Sequence, residues 1–166
     1  ILCLVAFLFC GCNSFRLSSS IDDLISPISP SGDNAGVQSA VDEYCKSGYS
    51  IKIPATGNYT TSFILKDIDG DKVNEAVAFY EPSNKVGTIS MAVIKKSGER
   101  WSVIANVDGT ATDVNSVDFC DFNNDGKLEI IVCWSVVSKQ TGTSINVYSQ
   151  NENDCKYSLK SVSKAI

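Results

Sequence analysis

Apolar and polar residues alternate in short segments over most of the chain, and residues typical of turns separate these segments. The pattern predicts β-strands at 50–53, 60–66, 75–80, 88–95, 100–107, 116–120, 129–137, 143–149 and 157–162. Only residues 33–46 have apolar positions at helical spacing, which predicts a helix capped by Ser31 or Asp33 and ended by Gly48. The chain is therefore predicted to consist mainly of β-strands.

Eight of these strands form two units of four, and each unit has an acidic loop between its first and second strands. The loops start 54 residues apart, at Asp67 and Asp121. The strand after each loop is apolar throughout, as expected for an inner strand buried on both faces. Four-stranded units of this length are typical of β-propeller blades. We expect an all-β fold with two four-stranded antiparallel blades, an incomplete propeller preceded by a signal segment and one short helix.

Oxygen-bearing side chains occupy positions 1, 3, 5 and 9 of both loops. Ca²⁺ prefers several oxygen ligands from a short, sharply bent segment, and alternate residues of a tight loop can point inward together. Backbone carbonyls at position 7 would complete the two sets of ligands, so we predict two structural calcium sites. The candidate ligands are Asp67, Asp69, Asp71, Val73 and Glu75 in the first loop (residues 67–75) and Asp121, Asn123, Asp125, Lys127 and Glu129 in the second loop (residues 121–129).

The two loops differ at position 6, which tends to need a left-handed backbone conformation that costs residues other than glycine about 1 kcal/mol or more. Gly126 occupies this position in the second loop and Lys72 in the first, so we expect the second site to be better formed. An EF-hand or dockerin loop would need a carboxylate at position 12. That position holds Ala78 and Val132, which disfavours this alternative.

Composition narrows the function classes. A net charge of −5 over 166 residues and a pI near 4.7 argue against nucleic-acid binding. Two bound Ca²⁺ ions would bring the net charge to about −1. The chain has no histidine, the commonest general base, and we expect no enzymatic activity. Four large aromatic residues could line a ligand surface, but such residues in strands are more often core: Tyr80, Trp101, Trp134 and Tyr148.

Residues 1–11 are uncharged and almost wholly apolar, too short to span a bilayer, and match the apolar region of a signal peptide truncated at its start. The segment ends in Gly11-Cys12, which resembles a bacterial lipobox and implies lipidation at Cys12. An ordinary signal peptide cleaved nearby is the alternative. Serine-rich residues 12–31 predict a tether. We expect a helix and short strand at 32–59, blades at 60–112 and 113–166, and anchoring on the extracytoplasmic face.

Residues from about Ser62 to Val162 resemble the FG-GAP/VCBS repeats of integrin-type propellers. The residues similar to that repeat's calcium loop are Asp121, Asn123, Asp125, Gly126 and Glu129, followed by Ile130, Ile131 and Val132. The lipobox, the helix and the first acidic loop together are similar to bacterial lipoproteins of the clostridial type that contain VCBS repeats. This resemblance implies an exported, cell-surface, calcium-binding propeller without catalytic activity, of which the chain is a fragment.

Three functions remain open at this point. The preferred one is a surface interaction, adhesion or scaffold protein with structural calcium, anchored to the membrane by lipid and binding an unknown protein or glycan. The second is a sensor or accessory subunit of an envelope complex. The third is the non-catalytic part of an enzyme whose catalytic domain lies outside this sequence.

Overall fold

The computed structural model describes residues 32–109, 111–137, 141–150 and 159–163, so the predicted signal segment, the tether and Cys12 lie outside the described residues. The described part contains one helix and nine strands. They are α1 (Asp33–Tyr44), β1 (Tyr49–Lys52), β2 (Phe63–Lys66), β3 (Glu75–Pro82), β4 (Ile89–Ser97), β5 (Arg100–Gly109), β6 (Asp113–Cys120), β7 (Glu129–Val137), β8 (Thr141–Gln150) and β9 (Leu159–Ser163).

Helix α1 lies where its periodicity predicts it and ends two residues earlier than expected. Its N-cap is Gly32, which makes no side-chain hydrogen bond, so the expected cap at Asp33 is wrong. Gly48 adopts a φ of 84° in the turn that leads into β1. No helix in the described ranges is long and apolar enough to cross a membrane. The buried side chains of α1 are Val37, Ala40 and Val41.

Sheet 1 contains β1 to β5, and all of its strand pairs are antiparallel. β1 and β2 share one edge of β3, since β2 pairs with residues 75–78 and β1 pairs with residues 79–82. On the other side of β3, the order continues through β4 to β5. The predicted boundary at residue 60 therefore separates β1 from the sheet that contains it.

Sheet 2 contains β6, β7, β8 and β9 in that order, and every neighbouring pair is antiparallel. This order is the one expected for the second unit. Neither sheet closes on itself within the described residues. The structure confirms the all-β fold class with one short helix.

The helix and the two sheets form three layers. Alternate residues of β3 point to opposite sides, so that Val77 and Phe79 belong to the core shared with sheet 2 and Ala78 belongs to the core shared with α1. Trp134 of sheet 2 meets Phe79 edge to face, with ring centroids 5.7 Å apart. The four large aromatic side chains that the sequence placed in the core are all at most 6% exposed: Tyr80, Trp101, Trp134 and Tyr148.

Strand β7 differs from its counterpart β3. Ile130, Val132 and Trp134 are buried against sheet 1, as the apolar sequence predicts. Ile131 and Cys133 point to the opposite face, and they are only half-buried. The expectation that both faces of this strand are buried is therefore wrong for the described residues, where sheet 1 covers one face of sheet 2.

Candidate metal centre

The two acidic loops occupy the same place in the two sheets. The first loop joins β2 to β3, and the second joins β6 to β7. In each loop the acid at position 9 is also the first residue of the following strand, and it is buried: Glu75 is 0% exposed and Glu129 is 7% exposed. Both strands begin with a glutamate fixed at the end of the loop.

The first aspartate of each loop organises the turn by accepting two backbone hydrogen bonds. Asp67 accepts from the N–H groups of Gly70 at 2.9 Å and Lys72 at 3.0 Å. Asp121 accepts from the backbone N–H groups at positions 5 and 6 of the second loop, at distances of 3.2 and 2.9 Å. Both aspartates thereby hold the loop backbone around their carboxylates.

The glutamates at position 9 make matching contacts. The backbone N–H of Ile68 donates to Glu75 Oε2 at 3.0 Å, and that of Phe122 donates to Glu129 Oε2 at 2.9 Å. These bonds tie position 2 to position 9 in both loops. These hydrogen bonds therefore help to close both loops.

Two positions in each loop adopt positive φ. At position 6, Lys72 has φ 70° and Gly126 has φ 84°, which confirms the predicted left-handed conformation. Position 4 is also left-handed, with Gly70 at 79° and Asn124 at 57°, and the sequence reading missed this requirement. Each loop thus pairs one glycine with one less suited residue, although asparagine tolerates this region better than lysine. Both loops therefore have left-handed residues at positions 4 and 6, and Lys72 adopts this conformation although it is not a glycine.

The loops also contact each other, whereas the sequence suggested separate sites. The backbone N–H of Leu128 donates to the carbonyl of Ile68 at 2.8 Å. Gly70 lies so close to the second loop that a Cβ there would come within 2.5 Å of the carbonyl oxygen of Gly126. Sheet 1 and sheet 2 are therefore joined at their loops as well as through their apolar faces.

In the first loop, Asp67, Asp69 and Asp71 bring carboxylate oxygens within 4.8 Å of one another. These residues form a cluster that could bind a metal ion, and oxygen ligands at this spacing suit a hard cation such as Ca²⁺. The three predicted carboxylates at positions 1, 3 and 5 are thus brought together as expected.

The ammonium group of Lys95, on β4, lies among these carboxylates. Its Nζ contacts Asp69, lies 2.8 Å from Asp71 Oδ2 and lies 3.0 Å from Glu75 Oε1. Glu75 Oε1 is buried without a hydrogen bond of acceptable geometry, so its contact with Lys95 is one of charge. The sequence analysis did not identify Lys95, although it follows from the β3–β4 hairpin register.

The pKa values of this cluster reflect the ion pairs. Desolvation lowers the pKa of Lys95, but hydrogen bonds to Asp69 and Asp71 and the negative charge of Glu75 outweigh it and raise that pKa above its ordinary value. The hydrogen bond from Lys95, together with that from the backbone N–H of Val73, lowers the pKa of Asp71. Lys95 is therefore charged at neutral pH.

The second loop has a different charge environment. Asp121, Asp125 and Glu129 form no ion pair with any described side chain. The amide of Asn123 donates to Asp125 Oδ2 at 2.9 Å. The pKa of Asp125 is lowered mainly by the hydrogen bond from the backbone N–H of Lys127, and to a smaller extent by the hydrogen bond from this amide. This donor set consists of oxygens, the ligands that a hard metal ion prefers. Among the described residues, three carboxylates lie within 4.8 Å of one another only in the first loop, so the structure does not bring the acids of the second loop together in the same way. That the second site is the better formed of the two stays a prediction.

Ser149 takes the place in sheet 2 that Lys95 takes in sheet 1. Tyr148 pairs with Ile130 in β8 and β7, just as Ile94 pairs with Ala76 in β4 and β3. The next residue along is therefore Ser149 in one sheet and Lys95 in the other. A serine hydroxyl has no charge to neutralise the acidic loop.

Position 7 contributes its backbone N–H in both loops. Val73 donates to Asp71 Oδ1 and Lys127 donates to Asp125 Oδ1, each at 2.8 Å. These bonds hold the carboxylates at position 5. That the carbonyls of the same two residues act as ligands stays a prediction.

A polar pocket lies elsewhere, between the end of α1 and the strands β3 to β5. Its polar groups bind one another: Ser90 donates to Asp108 Oδ1 at 2.8 Å, and the Tyr80 hydroxyl donates to Asn106 Oδ1 at 2.6 Å. Because these groups are already paired, the pocket shows less sign of a ligand than the acidic loops do.

Comparisons with known proteins return no match to a family model, a curated protein or a solved structure.

Proposed function

We propose that this protein is an exported, membrane-anchored calcium-binding module of the β-propeller type, acting in surface interaction, adhesion or scaffolding with structural calcium. The observation that carries the proposal is the second loop. Its backbone is folded as in the first loop, and its oxygen side chains have no described cationic partner. A Ca²⁺ ion held by Asp121, Asn123, Asp125 and Glu129 would place a positive charge among these oxygens.

The bound ion would act on stability, since it would tie the β6–β7 loop to the start of β7. Calcium sites in extracellular modules typically have dissociation constants of about 10⁻⁴–10⁻³ M, so they fill only outside the cytoplasm. At a calcium concentration tenfold above that constant, binding would stabilise the fold by about 1.4 kcal/mol. For a chain of this length the gain corresponds to a rise of about 3–6 °C in Tm.

Calcium titration followed by calorimetry and thermal unfolding tests the proposal. Asp125→Ala removes the position-5 carboxylate of the second loop, and we expect it to abolish the calcium-dependent rise in Tm. Asp71→Ala, at position 5 of the first loop, is the matched control and should keep that rise. Titration that gives neither heat nor a change in Tm in the unmodified chain would refute the calcium site.

Three features support the propeller arrangement. The repeated unit places an acidic loop before its most apolar strand, the two sheets pack face to face, and their loops contact each other through Leu128 and Ile68. Repeated sheets stacked in this order are the building principle of propellers. Small-angle scattering of the intact protein would distinguish a ring from an open two-sheet stack.

Export and anchoring rest on the apolar N-terminal segment and on Cys12. Metabolic labelling with a radioactive fatty acid should mark the protein in bacterial cells, and Cys12→Ser should remove the label. If Cys12→Ser leaves the label unchanged, the anchor lies elsewhere.

The partner would be a protein or glycan at the cell surface. Isolating partners from envelope extracts with and without a calcium chelator separates the preferred role from that of a sensor or accessory subunit. Capture of one defined envelope complex, with calcium changing its activity, would favour the sensor. Capture of matrix or cell-surface ligands would favour adhesion.

A further inference from the structure

We infer that Lys95 is a built-in cation that takes the place of a metal ion in the first loop, which makes this loop independent of calcium. The inference rests on the position of the Lys95 ammonium and not on the proposed calcium site in the second loop. It replaces the expectation of two calcium sites, of which the second is better formed, with one loop neutralised from within the chain.

One ammonium group contacts three acids of the first loop. Nζ offers three N–H donors, and it contacts Asp69, Asp71 and Glu75. These acids belong to positions 3, 5 and 9, the positions whose side chains would surround a metal ion in this type of loop. A Ca²⁺ ion bound to the same oxygens would have to displace the ammonium.

Glu75 is buried and needs a positive charge beside it. Its side chain is 0% exposed, and its Oε1 has no hydrogen bond of acceptable geometry. A buried carboxylate needs a compensating charge because desolvation strongly disfavours the ionised form. Lys95 Nζ, at 3.0 Å, is the cation that meets this need among the described side chains.

Formal charge does not separate the two loops. Four carboxylates with Lys72 and Lys95 give the first loop a charge of −2, and three carboxylates with Lys127 give the second loop the same value. The loop with the extra acid, Asp69, is the loop with the extra lysine. The second loop has neutral residues at both equivalent places, Asn123 and Ser149.

This pairing indicates that Asp69 and Lys95 act as a unit, and that Asn123 and Ser149 are its uncharged counterpart. Since the two loops have the same net charge, they differ in the position of the positive charge. In the first loop, the Lys95 ammonium lies among the acids at the ligand positions. In the second loop, no described side chain brings a positive charge to these positions.

The test is an exchange of the two residues, followed by equilibrium dialysis with calcium and by thermal unfolding in calcium or chelator. Lys95→Ser copies sheet 2 into sheet 1 and opens the ligand positions of the first loop. We expect this variant to bind one more calcium ion per chain than the unmodified protein. Its Tm in chelator should fall, and calcium should restore it.

The reciprocal variant Ser149→Lys keeps the first loop intact, so it remains informative if Lys95→Ser fails to fold. We expect Ser149→Lys to bind one calcium ion fewer and to lose the calcium-dependent rise in Tm. Lys95→Met serves as a control, because it removes the ammonium but leaves an apolar side chain near the ligand positions. It should lower Tm and should recover less in calcium than Lys95→Ser.

Failure of this inference is distinguishable from failure of the proposed calcium site. If the unmodified protein binds no calcium but folded Lys95→Ser binds one ion, the inference holds and the site in the second loop does not. If folded Lys95→Ser binds no more calcium than the unmodified protein, the inference is overturned. Where Lys95→Ser does not fold and the unmodified protein binds calcium, unchanged calcium binding by Ser149→Lys overturns it.

Discussion

The first and second loops have nearly the same backbone and different surroundings. Both close through a glutamate at position 9, and both hold left-handed residues at positions 4 and 6. A lysine ammonium from β4 lies among the carboxylates of the first loop, while no described side chain forms an ion pair with the acids of the second loop. A repeated motif can therefore preserve its shape while the source of its positive charge changes.

Position 2 shows the difference in surroundings most directly. Ile68 is 1% exposed and belongs to the core between the sheets, whereas Phe122 is 61% exposed. The same loop position thus contributes to packing in one sheet and not in the other.

The largest difference is expected from truncating position 2. Ile68→Ala leaves a cavity between the sheets and should lower the free energy of unfolding by about 2–5 kcal/mol. Phe122→Ala removes an exposed ring and should change it by no more than about 0.5 kcal/mol. Urea unfolding of both variants measures the two effects, and similar losses would show that the loops are equally packed.

The contact between the loops is tested next by adding a single methyl group. Gly70→Ala places a Cβ within 2.5 Å of the Gly126 carbonyl oxygen at a positive φ, so it should cost about 2 kcal/mol or more. Gly126→Ala has open space around its Cβ and should cost only the backbone strain of about 1–2 kcal/mol. Denaturant unfolding in chelator compares the two, and an equal cost would contradict the close approach of the loops.

A smaller effect is expected at the residues that tolerate positive φ poorly. Lys72→Gly should stabilise the protein by about 0.5–1 kcal/mol, because relief of strain at φ 70° exceeds the added entropy of the unfolded chain. Asn124→Gly should change the free energy of unfolding little, since asparagine already suits this conformation. Thermal unfolding of both variants is the measurement. A loss of stability in Lys72→Gly would mean that its side chain makes a contact worth more than the strain.

The smallest effect is expected from alkaline pH. The pKa of Lys95 is raised in the folded protein, so its stabilising contribution is complete below the unfolded value of 10.5 and falls as pH rises above it. Unfolding at pH 9 to 11.5, compared between the unmodified chain and Lys95→Met, isolates this contribution. The difference in the free energy of unfolding between the unmodified chain and Lys95→Met should become smaller only above about pH 10.5. A gap that narrows at lower pH would show that Lys95 is not held as an ammonium by the acids.

Much of the fold follows from the sequence because local patterns determine it. β7 extends over Glu129–Val137 as predicted, since its apolar run is bounded by the acidic loop on one side. The inward-facing aromatic residues, such as Trp134, were also placed correctly by their position in strands. The pairing of both β1 and β2 with the same edge of β3 was not predicted, because the partners of short strands are determined by tertiary packing.

The candidate site was predicted less completely. The spacing of Asp67, Asp69 and Asp71 was enough to place their carboxylates together. Lys95 was missed because motif spacing describes one loop, whereas this residue reaches it from a neighbouring strand. Counting cross-strand partners back from the hairpin turn, through the pair Ala76 and Ile94, would have found it. The contact between the two loops depends on sheet packing and has no local signal.

The position of Lys95 has a consequence for how the first loop depends on its environment. A cation attached to the chain has no free concentration to lose, and its effective concentration near the loop is fixed by the geometry of β4. Dilution or chelation cannot remove this cation, because it is part of the polypeptide. The ordered conformation of the first loop therefore depends on the amino-acid sequence and not on the calcium concentration of the surrounding medium.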